Sequence, residues 1–218
     1  MSSPRPRAFL VLAPESHGGH LVTDLLVSAG CHGASGDHGP WYPERQELGE
    51  GDQKPWDHDL PVDRQPWDER APSGEDPIVW RRSIPHQRAW SNIDSMVHSL
   101  EEAGYEVTAI VVTRDRYAAI QSQLKWRHVP DATTARANIS RAWVHIFDHL
   151  DRAGCPFLVV SYEALVRHRA AQDRLLEELG LPLDGDRPDV WDGNRKWYAG
   201  EVAAERDTTG GPEGSELA

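Results

Sequence analysis

The 218-residue chain carries 35 acidic against 23 basic side chains, a formal charge of −12 with a pI near 5.3. That field disfavours a nucleic-acid partner over the surface as a whole but leaves room for a local basic pocket that takes a small anion. Two cysteines far apart, Cys31 and Cys155, exclude a disulfide scaffold and suit reduced thiols in a cytoplasmic protein.

The first predicted element is the strand Ala8–Ala13, apolar throughout. The run behind Arg5 and Arg7 is too short for the ~7–15-residue core of a signal peptide, and no stretch reaches the ~20 apolar residues of a membrane span. The strand enters Pro14-Glu15-Ser16-His17-Gly18-Gly19-His20 and then a helix. Leu21, Leu25, Leu26 and Ala29 share one face of that helix, and Gly30 is its expected C-cap. Paired glycines permit positive φ or close backbone approach. The helix start adds unbonded N–H groups and the positive end of its dipole. Together they form an anion cradle, although a plain strand-to-helix turn packed on its glycines has the same composition.

On the Walker A pattern Ala13 falls at the first Gly, Gly18 at the second, Gly19 at the Lys and His20 at the Ser/Thr. The lysine and the magnesium-holding hydroxyl are both missing, which weighs against an ATP or GTP hydrolase. His17 and His20 stand three residues apart without a third ligand nearby, so no metal is expected.

Residues 34–76 combine proline, acid and tryptophan (Trp41, Trp56, Trp67), with Pro-Trp-Asp occurring twice, and read as an irregular insertion packed over the site. A strand follows at Ile78–Trp80. Next comes a helix with Ile93, Met96, Val97 and Leu100 on one face before Gly104. Val107–Thr113 is β-branched and apolar almost throughout, as a central strand covered on both faces must be. Arg114 stands directly after it, where open α/β sheets bind ligands, and Ser122 lies eight residues on in the next helix, Ala118–Lys125. A helix over Ala137–Ala153 and a strand over Pro156–Ser161 complete the pattern. Strands alternating with helices predict a three-layer α/β/α fold with a central parallel sheet. The expected organisation is one domain over 1–202 with a disordered, glycine-rich tail over 203–218.

With these elements in order, the chain from about residue 8 to 198 resembles the PAPS-dependent sulfotransferase family, which has a P-loop fold (PAPS is 3′-phosphoadenosine 5′-phosphosulfate). The loop and the later Ala29-Gly30-Cys31 are also similar to a bacterial sulfotransferase-like branch with AGPESSG-type loops. The resemblance implies that Ser16, His17, Gly18, Gly19 and His20 hold the 5′-phosphosulfate. It assigns Arg114 and Ser122 to the 3′-phosphate. Tyr162, in Ser161-Tyr162-Glu163-Ala164-Leu165, would lie near the adenine, and Leu179-Gly180-Leu181-Pro182 matches a helix ending common in the family. Arg195 and Lys196 correspond to a basic loop that closes on the 3′-phosphate. Taken singly, Tyr162-Glu163 is also an ordinary helix start, and Arg195-Lys196 an ordinary solvated pair.

The sequence departs from the family at the first loop. Lys or Arg usually precedes the glycine and Thr or Ser follows it; here Glu15, Ser16 and His17 precede, then Gly19 and His20 follow. A protonated His20, or Arg81 or Arg82 reaching over, could replace the charge. Leu21 stands where an adenine-stacking aromatic is common. Ser83 stands where a base histidine is common, with His86 three residues beyond. The candidate bases are His86, His17 and Glu15, and Arg82 is the candidate for stabilising developing charge. The resulting expectation is sulfuryl transfer from PAPS to a hydroxyl of a small molecule or saccharide, without a metal. A P-loop small-metabolite kinase, or an inactive nucleotide- or saccharide-binding protein of the same fold, are the alternatives.

Overall fold

The computed structural model describes residues 5–31, 77–85, 90–102, 104–185, 188, 190 and 192–198. The expected insertion over 34–76, the tail over 203–218 and His86 lie outside the described residues. In chain order the elements are β1 (Arg7–Pro14), α1 (Gly19–Ser28), β2 (Ile78–Ile84), α2 (Ile93–Glu102) and β3 (Glu106–Thr113). They continue with α3 (Arg116–Lys125), α4 (Ala132–Ala153), β4 (Phe157–Ser161), α5 (Tyr162–Arg167) and α6 (Arg169–Glu178).

The strands form one parallel sheet in the order β2-β1-β3-β4. Leu10 is level with Trp80 on one side and Ala109 on the other, and Val111 is level with Val159. Because side chains alternate across a strand, β1 feeds two cores. Ala8, Leu10 and Leu12 pack with Met96, Val97, Ala142 and Ile146 of α2 and α4. Phe9, Val11 and Ala13 pack with Val22, Leu26, Leu165 and Leu176 of α1, α5 and α6. Three layers result, as the apolar strands require. Truncating a core residue such as Leu12 to alanine costs ~2–5 kcal/mol.

Chain direction across the sheet locates the site. The connection from β1 through α1 moves one way, to β2; the next, through α2, moves back across β1 to β3. Crossovers of one hand then put α1 and α2 on opposite faces, which is what the two cores show. Between β1 and β3 the order reverses, and the crevice at their C-terminal ends is the usual ligand position of such sheets.

β2 and α4 extend furthest beyond the sequence pattern. β2 continues to Ile84 because Arg81, Arg82 and Ser83 pair with Val11, Leu12 and Ala13, so polar side chains ride on sheet backbone. α4 starts at Ala132, where Asp131 accepts a bond from the Thr134 N–H at 2.7 Å and serves as N-cap. Among the described residues no helix is long and apolar enough to cross a membrane.

Candidate functional site at the C-terminal edge of the sheet

The loop after β1 is held at both ends. The Glu15 N–H donates to Ile84 O at 3.2 Å, and the His17 N–H donates to Pro14 O at 3.1 Å. Ser16 has φ 67 and Gly18 φ 84, so the chain turns twice through the left-handed region within three residues. Glycine is needed at position 18 on a second ground: a Cβ there would lie 2.8 Å from Tyr162 Cε2. At Gly19 a Cβ would come within 3.1 Å of Arg81 Cδ, so the Arg81 stem runs along the first turn of α1. That helix begins without a side-chain cap, which turns the dipole end and first-turn backbone toward the loop.

Arg114, just past β3, joins three parts of the chain. Its Nη1 donates to Ser16 O at 2.8 Å, its Nε donates to Asn194 Oδ1 at 2.7 Å, and its guanidinium lies 4.6 Å from the Tyr162 ring centre. Five N–H donors are available on the fork, so three remain for a ligand. Behind it, Glu163 Oε1 accepts from the Asp115 N–H and from Asn194 Nδ2, both at 2.8 Å. The Ser161 hydroxyl donates to Glu163 Oε2 at 3.1 Å. The Gly193 N–H donates to the Tyr162 hydroxyl at 3.0 Å. The 192–198 segment is therefore fastened to the ends of β3 and β4 by side chains rather than by a ladder.

This end of the molecule gathers cation and aromatic groups despite the acidic whole. Lys125 and Lys196 lie 5.7 Å and 4.8 Å from the Trp197 ring centre. Burial, then the charges of Lys125 and Arg114, push the Lys196 ammonium below its usual range. Tyr198 stacks on Tyr117 with ring centres 6.2 Å apart. Burial, then a hydrogen bond to Asp115, push its phenol up to about 12.

Of the sequence-derived candidates, Ser16, His17, Gly18, Gly19, Arg114 and Tyr162 come together around the loop. Lys196 lies close enough to Arg114 to feel its charge. Ser122 is buried on α3, while His20 and Arg195 are exposed. Tyr162 is buried, its ring against Arg114 and Gly18 and its hydroxyl taken by Gly193. Arg82 is buried within β2.

His17 is only 2 % exposed, with Nδ1 at 3.1 Å from Glu15 O and its ring edge-on to Trp143. Burial is the main cause that lowers its pKa to about 4. It packs as a neutral core histidine. Asn194, Glu163 and Lys125 are the site residues that sequence reasoning passed over or left without a role. Each gains its place through long-range contacts that leave no spacing signal. Among the described residues no cluster of three or more His, Cys, Asp or Glu could hold a metal.

The sheet order, the two-faced core and the strand–loop–helix at the switch point define the class: an α/β fold of the P-loop, sulfotransferase-like type. Among solved structures the chain is similar to the sulfotransferase domain from the curacin biosynthetic pathway. The TM-score is 0.51 and the identity 13%, over 98% of this chain and 95% of that one. The sulfotransferase domain of the Synechococcus PCC 7002 olefin synthase gives 0.49 and 18%, over 100% and 93%. A structure from the PezAT chromosomal toxin–antitoxin system of Streptococcus pneumoniae gives 0.45 and 14%, over 96% and 90%. No family model matches the sequence. No curated protein matches it either. The likeness to the curacin-pathway domain bears on the fold alone.

Proposed function

We propose that this chain is a sulfotransferase, moving a sulfuryl group from PAPS to a hydroxyl of a small molecule or saccharide in the cytoplasm. The observation that carries the reading is the position of Arg114. It ties the first loop to the 192–198 segment, so three stretches that resemble the family separately meet at one point. The loop backbone and the start of α1 suit the 5′-phosphosulfate. The free donors of Arg114, with Lys196 and the Ser122 hydroxyl, suit the 3′-phosphate.

Sulfuryl transfer asks for in-line placement, neutralisation of the bridging oxygens and a base for the acceptor hydroxyl. Arg81, whose stem lies along the first turn of α1, is the cation best positioned to stand in for the one the loop lacks. A P-loop kinase is disfavoured by Gly19 and His20 where lysine and a magnesium-binding hydroxyl are needed. One observation favours a binding protein without transfer activity: Glu15 puts a carboxylate where the family carries a cation.

Calorimetry with adenosine 3′,5′-bisphosphate tests the donor site. Micromolar binding without magnesium is the expected result, and none at millimolar ligand would overturn the proposal. Tighter binding of ATP that requires magnesium would establish the kinase instead. Transfer from ³⁵S-labelled PAPS separates the enzyme from the binding protein.

A further inference from the structure

The end of α3 brings a second ionisable pair to the loop. Arg127 adopts φ 56, its N–H donates to Leu124 O at 3.1 Å, and the His128 N–H donates to Gln123 O at 3.0 Å. These are the two bonds of a Schellman ending, built here on a non-glycine residue. The turn folds His128 back beside Gln123, whose side-chain amide donates to Glu15 O at 2.9 Å. His128 Nδ1 then lies 3.0 Å from Glu15 Oε1. The last turn of α3 thus holds the backbone of Glu15, and His128, at the end of the turn that follows, holds the carboxylate.

We propose that Glu15 and His128 form the proton-accepting pair of the sulfuryl transfer, with His128 Nε2 as the base and Glu15 as the residue that positions it. This rests on the reading of the chain as a sulfotransferase. A neutral imidazole whose Nδ1–H donates to a carboxylate presents an unprotonated Nε2 as acceptor. The same division of labour operates in carboxylate–histidine catalytic units. His128 joins a fixed ring to an accessible one, with 36 % of its side chain exposed against 15 % for Glu15. His17 has the opposite character, being buried with its Nδ1 on Glu15 O.

In the step itself the acceptor hydroxyl gives its proton to Nε2 while its oxygen bonds to sulfur. The bond from sulfur to the 5′-phosphate oxygen breaks, and its electron pair leaves on adenosine 3′,5′-bisphosphate. The imidazolium faces the Glu15 carboxylate, then returns its proton to water through its exposed edge. Burial raises the pKa of Glu15, so its anion gains from a cation formed beside it. The loop's departure from the family acquires a purpose: the carboxylate serves the histidine, not the donor.

The test uses the full chain with ³⁵S-labelled PAPS, following label released as sulfate to water and label moved to a panel of small alcohols, phenols and saccharides. His128→Asn and His128→Ala are expected to lower kcat ~100-fold or more, with the Kd for adenosine 3′,5′-bisphosphate within about twofold of wild type. Added imidazole should restore part of the His128→Ala rate. Glu15→Gln should lower kcat ~10-fold at nearly constant KM for PAPS. In ¹⁵N NMR it should also cost His128 its single Nδ1–H tautomer. Wild-type rates in His128→Asn would overturn the inference. So would a wild type that binds the bisphosphate yet releases no label, and in both cases the donor site stands. A wild type that does not bind the bisphosphate overturns the sulfotransferase reading, and this inference with it.

Discussion

Arg114 Nη1 donates to the backbone oxygen of Ser16 at 2.8 Å, so the residue after the central strand holds a left-handed turn of the first loop in place. The contact spans 98 residues of sequence and crosses the switch point of the sheet. A lysine can supply the charge but not the fork that reaches Ser16 O and Asn194 Oδ1 together. Arg114→Lys is therefore expected to weaken adenosine 3′,5′-bisphosphate binding ~10-fold and Arg114→Ala ~100-fold, as loss of charge-assisted hydrogen bonds implies. Calorimetry reads both, and unchanged affinity in the alanine variant removes Arg114 from the site.

Gly18 and Gly30 make a controlled pair. Both have positive φ, +84 and +95, but a Cβ at 18 runs into the Tyr162 ring, while one at 30 meets nothing within 4 Å among the described residues. Gly30→Ala should cost only the left-handed penalty, ~1–2 kcal/mol. Gly18→Ala should cost that plus ~1–3 kcal/mol of overpacking. Urea unfolding of the two variants measures the difference, and equal losses would mean that Tyr162 does not pack on the loop.

Most of the fold was legible in the sequence because it depends on local pattern. AFLVLA and VTAIVVT announce interior strands, and the alternating helices force a parallel sheet. What escaped was carried by non-local pairing. Arg81 to Ser83 are polar, yet β1 draws them into the ladder, so β2 exceeds its apolar run. The site divides in the same way. Arg114 was visible because strand ends are where ligands bind. Glu163 and Asn194 matter through bonds to each other and to Asp115, which no spacing records. His17 was readable as a base only until burial was known. His128 had no pattern around it at all, since a left-handed Arg127 aims it.

Glu163 is the joint between the 192–198 segment and the sheet. Its carboxylate accepts three bonds, from the Asp115 N–H, Asn194 Nδ2 and the Ser161 hydroxyl. Glu163→Ala leaves the buried Asn194 amide and two part-buried donors without their acceptor, and a cost of ~2–4 kcal/mol is expected from bonds to a charged group. Glu163→Gln retains an accepting oxygen and should cost about half as much. Hydrogen exchange adds a local readout: the Asp115 amide should lose protection in the alanine variant and keep most of it in the glutamine variant. Equal protection in both would show that the carboxylate does not organise this junction.

His17 gives a pH dependence whose sign is fixed by its burial. In the unfolded chain it titrates near 6.5, and in the folded chain at about 4. Above pH 6.5 neither state binds the proton, so His17 adds no slope. Between 6.5 and 4 the unfolded state takes up a proton that the folded state refuses, and stability falls as pH falls. At ~1.4 kcal/mol per unit the loss reaches about 3 kcal/mol by pH 4. His17→Gln should be less stable at pH 7, because the ring loses its edge contact with Trp143. It should nevertheless decline less between pH 6.5 and 4.5 than the wild type. Urea midpoints at half-unit steps across that window test the difference, and parallel curves would show that His17 ionises as freely in the folded chain as in the unfolded one.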